Sequence, residues 1–140
     1  MMAAVKNIPF FRVLKHAPFL LPLIRTLYGK KTPQLSCTWM GRQFDNPLGI
    51  AAGVDRRGEY TDIIAQYSPA FIEIGPVRDV RFAINNLQKR QENIIVMANL
   101  SNNKEIERSF SLIYDFVDAI VLNVSQNTSV SKIIDHLIDR

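Results

Sequence analysis

Four apolar segments recur along the chain at intervals that leave room for one helix between each pair. Their spacings are 23, 23 and 25 residues, and they begin near Leu48, Phe71, Ile94 and Ala119. Because a strand and its crossover helix repeat at about this interval, the pattern predicts parallel strand–helix units. We therefore predict an α/β fold with about four such units, and an open four-stranded sheet is one way to arrange them.

The remaining elements are predicted from local periodicity and turn residues. Residues 34–46 predict a β-hairpin with a turn at Gly41-Arg42, in which Trp39 is a packing residue. The predicted strands are 48–52, 70–74, 93–98 and 119–124. The predicted helices are 9–16, 18–28, 59–66, a short one ending near Arg90, 104–116 and 130–138.

Hydrophobic spacing also predicts which side chains are buried. Glu73 lies inside an apolar strand, so its carboxylate needs a hydrogen-bond partner or a cation. In two helices, residues at helical spacing form one apolar face each. These faces are Tyr60, Ile63 and Ile64 in the first, and Ile106, Phe110, Ile113 and Tyr114 in the second.

Charge is unevenly distributed between the first third of the chain and the remainder. Residues 1–44 contain no acidic side chain and carry a formal charge of +7, whereas residues 45–140 hold ten basic and thirteen acidic side chains. Bulky apolar residues alternate with the cations, but no apolar run approaches the ~20 residues of a membrane-spanning helix. We therefore divide the chain into a basic amphipathic helical segment, residues 1–33, and an α/β domain, residues 34–140.

Three roles fit this basic and apolar N-terminal segment. We favour a position on an anionic membrane surface for residues 1–31, with apolar side chains in the bilayer and cations at the headgroups. The segment could instead be an arm buried against a partner protein. It could also be a mitochondrial targeting peptide, which is likewise basic and free of acidic residues.

Composition narrows the chemistry that the chain can perform. The chain is 47% hydrophobic and 21% charged, which places it with ordinary globular domains. Cys37 is the single cysteine, so an internal disulfide is excluded, and we expect a small buried apolar residue there. His16 and His136 lack metal-ligand spacing, so no metal site is predicted. The basic residues lie among bulky aliphatics without a nucleic-acid-binding motif, and no nucleic-acid partner is expected.

Residues 46–59, with the sequence NPLGIAAGVDRRGE, are the most informative segment for function and are called the motif segment below. An apolar run ends there in two alanines and a glycine, and then becomes charged. Small residues at the end of a strand allow a flat ligand to lie against the backbone, and the loops after barrel strands carry catalytic groups. An ordinary buried strand with a polar turn is the alternative.

Four segments of the chain, in order, resemble the strand ends of the dihydroorotate dehydrogenases, the flavin enzymes of pyrimidine synthesis. The motif segment resembles the family pattern NP-x-G-x-AAG-x-D-K-x-G-E, with Arg56 in place of lysine. Residues 71–75 (FIEIG), 97–104 (MANLSNNK) and 122–128 (LNVSQNT) are similar to the second, third and fourth strand ends. Residues 28–47 also resemble the lead-in of the membrane-linked, quinone-using class.

The resemblance implies both a fold and an activity. An eight-unit barrel needs about 250 residues, so the 140 residues here would form half of a TIM-type (β/α)8 barrel after a helical segment and a hairpin. The implied reaction is the FMN-dependent oxidation of dihydroorotate to orotate. The helical N-terminal domain of this class forms the quinone entrance, which implies association with the cytoplasmic side of a bacterial membrane or the mitochondrial inner membrane.

The resemblance also implies roles for individual residues. Arg56 would hold the orotate carboxylate, and Asn127 would also bind the substrate. Ser125 is the candidate catalytic base, although its motif is one residue shorter than in the family. Asparagines after strands are also common turn formers, which is the alternative role for these positions. The implied cofactor-binding residues are Ala52, Gly53, Asn99 and Asn123.

The chain departs from the family pattern after Gly75. Pro76 stands where a flavin-contacting threonine is expected, and most of the long substrate loop is missing. The flavin phosphate of such barrels binds after the seventh and eighth strands, beyond the four predicted units. We therefore expect that the isolated chain binds no FMN and is inactive alone. It should pair with a second copy or with a larger assembly that covers the open barrel edge. The alternative is a non-catalytic structural or membrane-docking subunit derived from this family.

Overall fold

Two short helices begin the part of the chain that the structure, a computed structural model, describes: residues 9–29, 33–39, 41–91, 94–100 and 105–122. Helices α1 (Pro9–His16) and α2 (Leu21–Tyr28) are joined by a 3₁₀ turn at Pro18–Leu20. Pro22 lies in the first turn of α2, where a backbone N–H has no partner within the helix and its loss is tolerated. The prediction of two short helices interrupted at Pro18 is confirmed.

A parallel sheet forms the centre of the α/β domain. Its strands, labelled from the hairpin onward, are β3 (Phe71–Ile74), β4 (Ile95–Asn99) and β5 (Ala119–Val121), in the order β3-β4-β5. Both pairings are parallel, so successive strands are neighbours as the repeat of apolar segments predicts. The fully buried side chains of β3 and β4 form the middle of the core, and they are Ile72, Ile74, Val96 and Ala98.

The prediction of a regular strand over residues 48–52 is wrong, but its predicted position beside β3 is correct. A single parallel bridge joins Ile50 to Ile72. The Ile50 N–H donates to the Phe71 carbonyl at 2.9 Å, and the Glu73 N–H donates to the Ile50 carbonyl at 2.7 Å. Glycine and alanine have low strand propensity, which explains why the pairing here is short. The segment therefore lies beside β3, and the complete four-unit half barrel stays a prediction.

The predicted β-hairpin is confirmed and lies near the amino ends of the parallel strands. Strands β1 (Cys37–Trp39) and β2 (Arg42–Phe44) pair antiparallel. The turn was predicted at Gly41-Arg42. Gly41 lies in the turn, whereas Arg42 is already the first residue of β2. An ion pair of 3.0 Å joins the Arg42 guanidinium to Asp118, which immediately precedes β5.

Two side chains of the hairpin are less buried than the sequence predicts. Trp39 is 46% exposed, although its ring lies 5.8 Å from that of Phe71. Cys37 is only partly buried. A two-stranded hairpin has one face against the domain and one face towards solvent, so neither residue is enclosed on all sides.

Among the described residues, three helices flank the sheet, and the first and last of them are shorter than predicted. Because Tyr60 donates its N–H to the Asp55 carboxylate at 2.8 Å, the chain becomes helical only after this residue. The predicted helix at 130–138 lies outside the described residues. The helices are α3 (Thr61–Ala65), α4 (Val80–Leu87) and α5 (Ile106–Ile113), the last followed by a 3₁₀ turn at Tyr114–Phe116.

The predicted apolar faces are confirmed except at one residue. Tyr114 is 48% exposed, because it belongs to the 3₁₀ turn and is rotated away from the stripe of α5. Ser109 is buried on that helix instead. The predicted face residues that are buried are Tyr60, Ile63, Ile64, Ile106, Phe110 and Ile113.

The N-terminal helices pack against the α/β domain through a few apolar side chains. Leu14 of α1 and Ile24 of α2 are buried in the same core cluster as the residues of α3. The Phe11 ring meets the Tyr60 ring edge to face, with centroids 6.2 Å apart. Burial of a large aliphatic side chain contributes about 1.5–3 kcal/mol, so these contacts stabilise the packing of the two short helices on the domain.

Candidate functional site

The loops that follow the parallel strands meet at one edge of the sheet. The Gly53 N–H donates to the Gly75 carbonyl at 2.7 Å, which joins the motif segment to the loop after β3. The Val77 N–H donates to the Asn99 carbonyl at 2.8 Å, which joins that loop to the end of β4. In parallel α/β folds this carboxyl edge is where ligands bind, so the predicted site residues within the described part of the chain lie at the expected edge.

Two glycines at this edge serve different purposes. Gly75 has φ +123°, and a Cβ there would lie 2.7 Å from the Asn99 carbonyl oxygen, so only glycine allows the two loops to approach. Gly53 has φ +101°, but a Cβ there would meet no atom within 4 Å. Ala51 is exposed and Ala52 is partly buried. The space beside Gly53 is therefore open, which a flat ring system needs in order to lie against the backbone.

A buried carboxylate organises the charged turn after these small residues. Asp55 is 2% exposed, and it accepts N–H groups from Arg57 at 3.3 Å, Glu59 at 3.0 Å and Tyr60 at 2.8 Å. Burial raises the pKa of the Asp55 carboxyl, and the three N–H donors oppose this effect. Sequence reasoning missed this residue. An aspartate that opens a polar turn, with its oxygens available to the following N–H groups, was the signal.

A cavity of about 240 Å³ lies beside this turn, between the loop after the first strand position and the loop after β3. Arg56, the predicted substrate-binding residue, is exposed and lines it. Arg57 also lines it, but its guanidinium is engaged, since it lies 5.1 Å from the centre of the Phe82 ring and 3.7 Å from Glu59. The lining residues are Val54, Asp55, Arg56, Arg57, Glu59, Tyr60, Pro76, Arg78 and Asp79.

Asn99, a predicted cofactor-binding residue, is linked to the partly buried carboxylate of Glu73 on the neighbouring strand. Its Nδ2 donates to Glu73 Oε1 at 2.7 Å. The sequence-based expectation that Glu73 has a hydrogen-bond partner is therefore confirmed. The pair joins β3 and β4 at their carboxyl ends, so Asn99 has a structural role at the predicted site.

Three predicted site residues, Asn123, Ser125 and Asn127, lie outside the described residues, and their roles stay predictions. Within the described ranges, no three side chains of His, Cys, Asp or Glu are grouped closely enough to hold a metal ion. In that same part of the chain, no helix combines the length and hydropathy needed to cross a bilayer.

Comparisons of sequence point to one group of enzymes, although no family model matches the chain. The dihydroorotate dehydrogenase (quinone) of Roseiflexus sp. (strain RS-1) is 44% identical over 66 residues, which are 47% of this chain and 18% of the relative. That of Nitrosospira multiformis is 34% identical over 115 residues, which are 76% of this chain and 33% of the relative. The chain thus spans no more than about a third of the length of these curated relatives.

A comparison with solved structures also finds a dihydroorotate dehydrogenase, on the evidence of the fold. The crystal structure of the dihydroorotate dehydrogenase (DHODH) of Eimeria tenella in complex with ferulenol matches 86% of this chain and 46% of that chain. The TM-score is 0.58 at 18% sequence identity, so this likeness concerns the fold alone. The resemblance predicted from the motifs is thereby confirmed: over about a third to three quarters of its length, this chain is similar to the quinone-class dihydroorotate dehydrogenases.

Proposed function

We propose that the chain forms one side of a dihydroorotate dehydrogenase-type barrel, the part that carries the flavin floor. The reaction is the FMN-dependent oxidation of dihydroorotate to orotate in pyrimidine biosynthesis. The isolated chain is an incomplete barrel and is inactive by itself. The observation that carries the proposal is the open surface at Gly53, at the carboxyl edge of consecutive parallel strands and beside the turn that presents Arg56.

The residues at this edge fit the ring of the cofactor. Ala52 and Gly53 offer a floor without side chains that would keep a flat ring away. FMN, when bound, accepts a hydride from dihydroorotate. Arg56 binds the carboxylate of the substrate, for which the two-pronged guanidinium is well suited. The hydrogen bond between Asn99 and Glu73 holds the end of β4 beside this floor.

The flavin phosphate has a poorer fit to the described residues. A helix N-terminus is the usual site for a phosphate because its N–H groups are free. At α4 the Asp79 carboxylate already accepts the Phe82 N–H at 3.0 Å, and its negative charge would repel a phosphate. We therefore propose that the cofactor needs further residues, which a different chain in a larger assembly supplies.

Uneven burial across the sheet supports this need for a partner. The centres of β3 and β4 are fully buried, whereas all three residues of β5 are only partly buried. A cavity of about 460 Å³ lies between β5 and α5, and its wall includes Phe110, Ile120 and Leu122. Parallel sheets occur in proteins with both faces covered.

We also propose that residues 1–31 hold the protein on a membrane surface. Helices α1 and α2 turn Leu14 and Ile24 towards the core, and Phe11 and Leu21 are partly buried against it. The remaining large apolar side chains of the two helices are exposed. Phe19 is 78% exposed, the most of any large apolar side chain described. Apolar side chains among basic residues are typical of helices that lie on anionic bilayers. The exposed set is Phe10, Val13, Phe19, Leu23, Leu27 and Tyr28.

Flavin content and molecular mass of the purified chain test the proposed incompleteness. We expect a colourless protein after incubation with FMN, and a mass by native mass spectrometry of at least two copies. A yellow protein with a bound-flavin spectrum, or a stable monomer in dilute solution, would contradict it.

Vesicle flotation tests the membrane proposal separately. Wild-type chain should float with vesicles of anionic phospholipid, and replacing Phe19 and Leu23 by Ser should abolish flotation without changing the thermal midpoint. The control, Leu112→Ser, replaces an exposed leucine of α5 and should float normally. Equal flotation of all three proteins would exclude the proposed surface.

A second candidate function is a non-catalytic subunit that retains the family fold. It is favoured by Pro76, which has neither a side-chain hydroxyl nor a backbone N–H at a position where the family carries a flavin-contacting threonine. Dihydroorotate-dependent reduction of flavin in a completed barrel distinguishes the two functions, because a non-catalytic subunit binds without turnover.

A further inference from the structure

Two arginines on the 240 Å³ cavity have no acidic partner in the described part of the chain. Arg56 follows the buried Asp55, and Arg78 lies in the loop after β3, which is a different part of the sequence. Both side chains are exposed, and neither takes part in an ion pair or hydrogen bond among the described residues. Two unpaired cations from neighbouring loops therefore share one cavity.

The acidic residues that line the same cavity are bound by other groups. Asp55 accepts three backbone N–H groups. Glu59 accepts the Lys15 ammonium at 3.1 Å and lies 3.7 Å from Arg57. The carboxylate of Asp79 caps α4. None of these carboxylates forms an ion pair with Arg56 or Arg78, so both guanidinium groups are available to bind an anion in the cavity.

The volume of the cavity limits the size of that anion. About 240 Å³ is below the ~300–1,000 Å³ of pockets that enclose drug-sized ligands. A single-ring acid fits this space, and a dinucleotide does not. The apolar parts of Val54, Tyr60 and Pro76 give the ring a surface to lie against. We propose that Arg78 acts together with Arg56 to bind the carboxylate of a small ring acid in this cavity.

Arg78 is new relative to the family resemblance, since it lies where the chain departs from the family pattern. The identity of the acid rests on the proposed function, in which Arg56 binds orotate. The existence of a two-arginine anion site rests only on the cavity and its charges. Orotate and uracil make a matched pair of probes, because they share a ring and differ by the carboxylate.

Calorimetric titration of the full 140-residue chain at low salt tests the site. We expect wild-type protein to bind orotate and to bind uracil at least tenfold more weakly. Arg56→Gln and Arg78→Gln should each weaken orotate binding by about tenfold or more, because each removes a charge-assisted hydrogen bond. Arg78→Lys keeps the positive charge but loses the planar guanidinium that can donate two parallel hydrogen bonds, so it should give an intermediate loss. Arg81→Gln, an exposed arginine of α4 outside the cavity, should bind orotate as the wild type does.

Several outcomes would overturn the assignment. These are unchanged orotate binding by Arg78→Gln, an equal loss in Arg81→Gln, or uracil binding as tight as orotate binding. Inorganic phosphate that binds more tightly than orotate would identify a phosphate site instead. Circular dichroism of each variant checks that it is folded. The proposed function fails separately from this site. If a completed barrel takes up no flavin while the chain still binds orotate, the proposed function is contradicted and the two-arginine site is retained.

Discussion

The β3–β4 pair and the motif segment lie side by side, but different interactions hold them in place. Four register pairs join β3 to β4, and Ile72 at their centre is fully buried. The motif segment has one bridge to β3, and its Leu48 is 70% exposed. The hydrogen bonds of Asp55 order its charged turn, and the Asn86 Nδ2 donates to the Arg57 carbonyl at 2.9 Å. Stability thus resides in the strand pair, and the candidate binding groups lie on a segment positioned by polar contacts.

Substitution of the buried centre should have the largest effect on stability. Ile72→Ala should lower the free energy of unfolding by about 2–5 kcal/mol, because it leaves a cavity in a fully buried site. Leu48→Ala is the matched control and should change it by no more than about 0.5 kcal/mol. Urea denaturation measures both, and equal losses would remove the contrast between the two regions.

The two positive-φ glycines should also differ. Alanine at either position is strained, and at Gly75 it would additionally meet the Asn99 carbonyl at 2.7 Å. We expect Gly75→Ala to be less stable than Gly53→Ala by about 1–3 kcal/mol. Thermal and urea unfolding of the two variants provide the comparison. A Gly53→Ala variant as unstable as Gly75→Ala would mean that the surface beside Gly53 is not open.

Removal of the Asp55 carboxylate should disturb the motif segment locally. Asp55→Ala leaves three N–H groups without their acceptor and should cost about 1–3 kcal/mol. Hydrogen exchange should become faster at Arg57, Glu59 and Tyr60 and stay unchanged in β4. A loss of protection spread evenly over the sheet would show that the turn is held by the core instead.

The smallest expected effect is a dependence on pH. Because burial raises the pKa of Asp55 in the folded state, the folded chain binds its proton more tightly than the unfolded chain does. Stability from this group is therefore present below its unfolded pKa, which is near 3.8, and is lost as pH rises through the folded pKa. Wild type should gain stability relative to Asp55→Asn on acidification from pH 7 to pH 4. A change of opposite sign would contradict the assigned direction.

Periodicity was sufficient to predict most of the fold. The alternation of apolar runs located β3, β4 and β5, and proline and charge patterns located α1 and α2. Each of these elements has an apolar pattern that is typical of its secondary structure. The start of α3 could not be found in this way, because it depends on a hydrogen bond from Tyr60 to Asp55.

The candidate site was less predictable than the fold. Gly53 and Arg56 lie at the carboxyl edge of the sheet, and their binding roles stay predictions. The burial of Asp55 depends on three backbone groups that approach only after the turn has formed. The sharing of one cavity by Arg56 and Arg78 depends on the crossover between two strands, and pairwise spacing in the sequence does not reveal it.

The central claim is that this chain supplies the flavin floor of a dihydroorotate dehydrogenase barrel. The most direct test is a chimera in which the stretch of the Nitrosospira multiformis enzyme that matches this chain is replaced by the chain's own residues. We predict that the purified chimera carries FMN, detected by its absorbance, and that a Gly53→Leu version folds without it. A folded chimera that takes up no flavin would contradict the account.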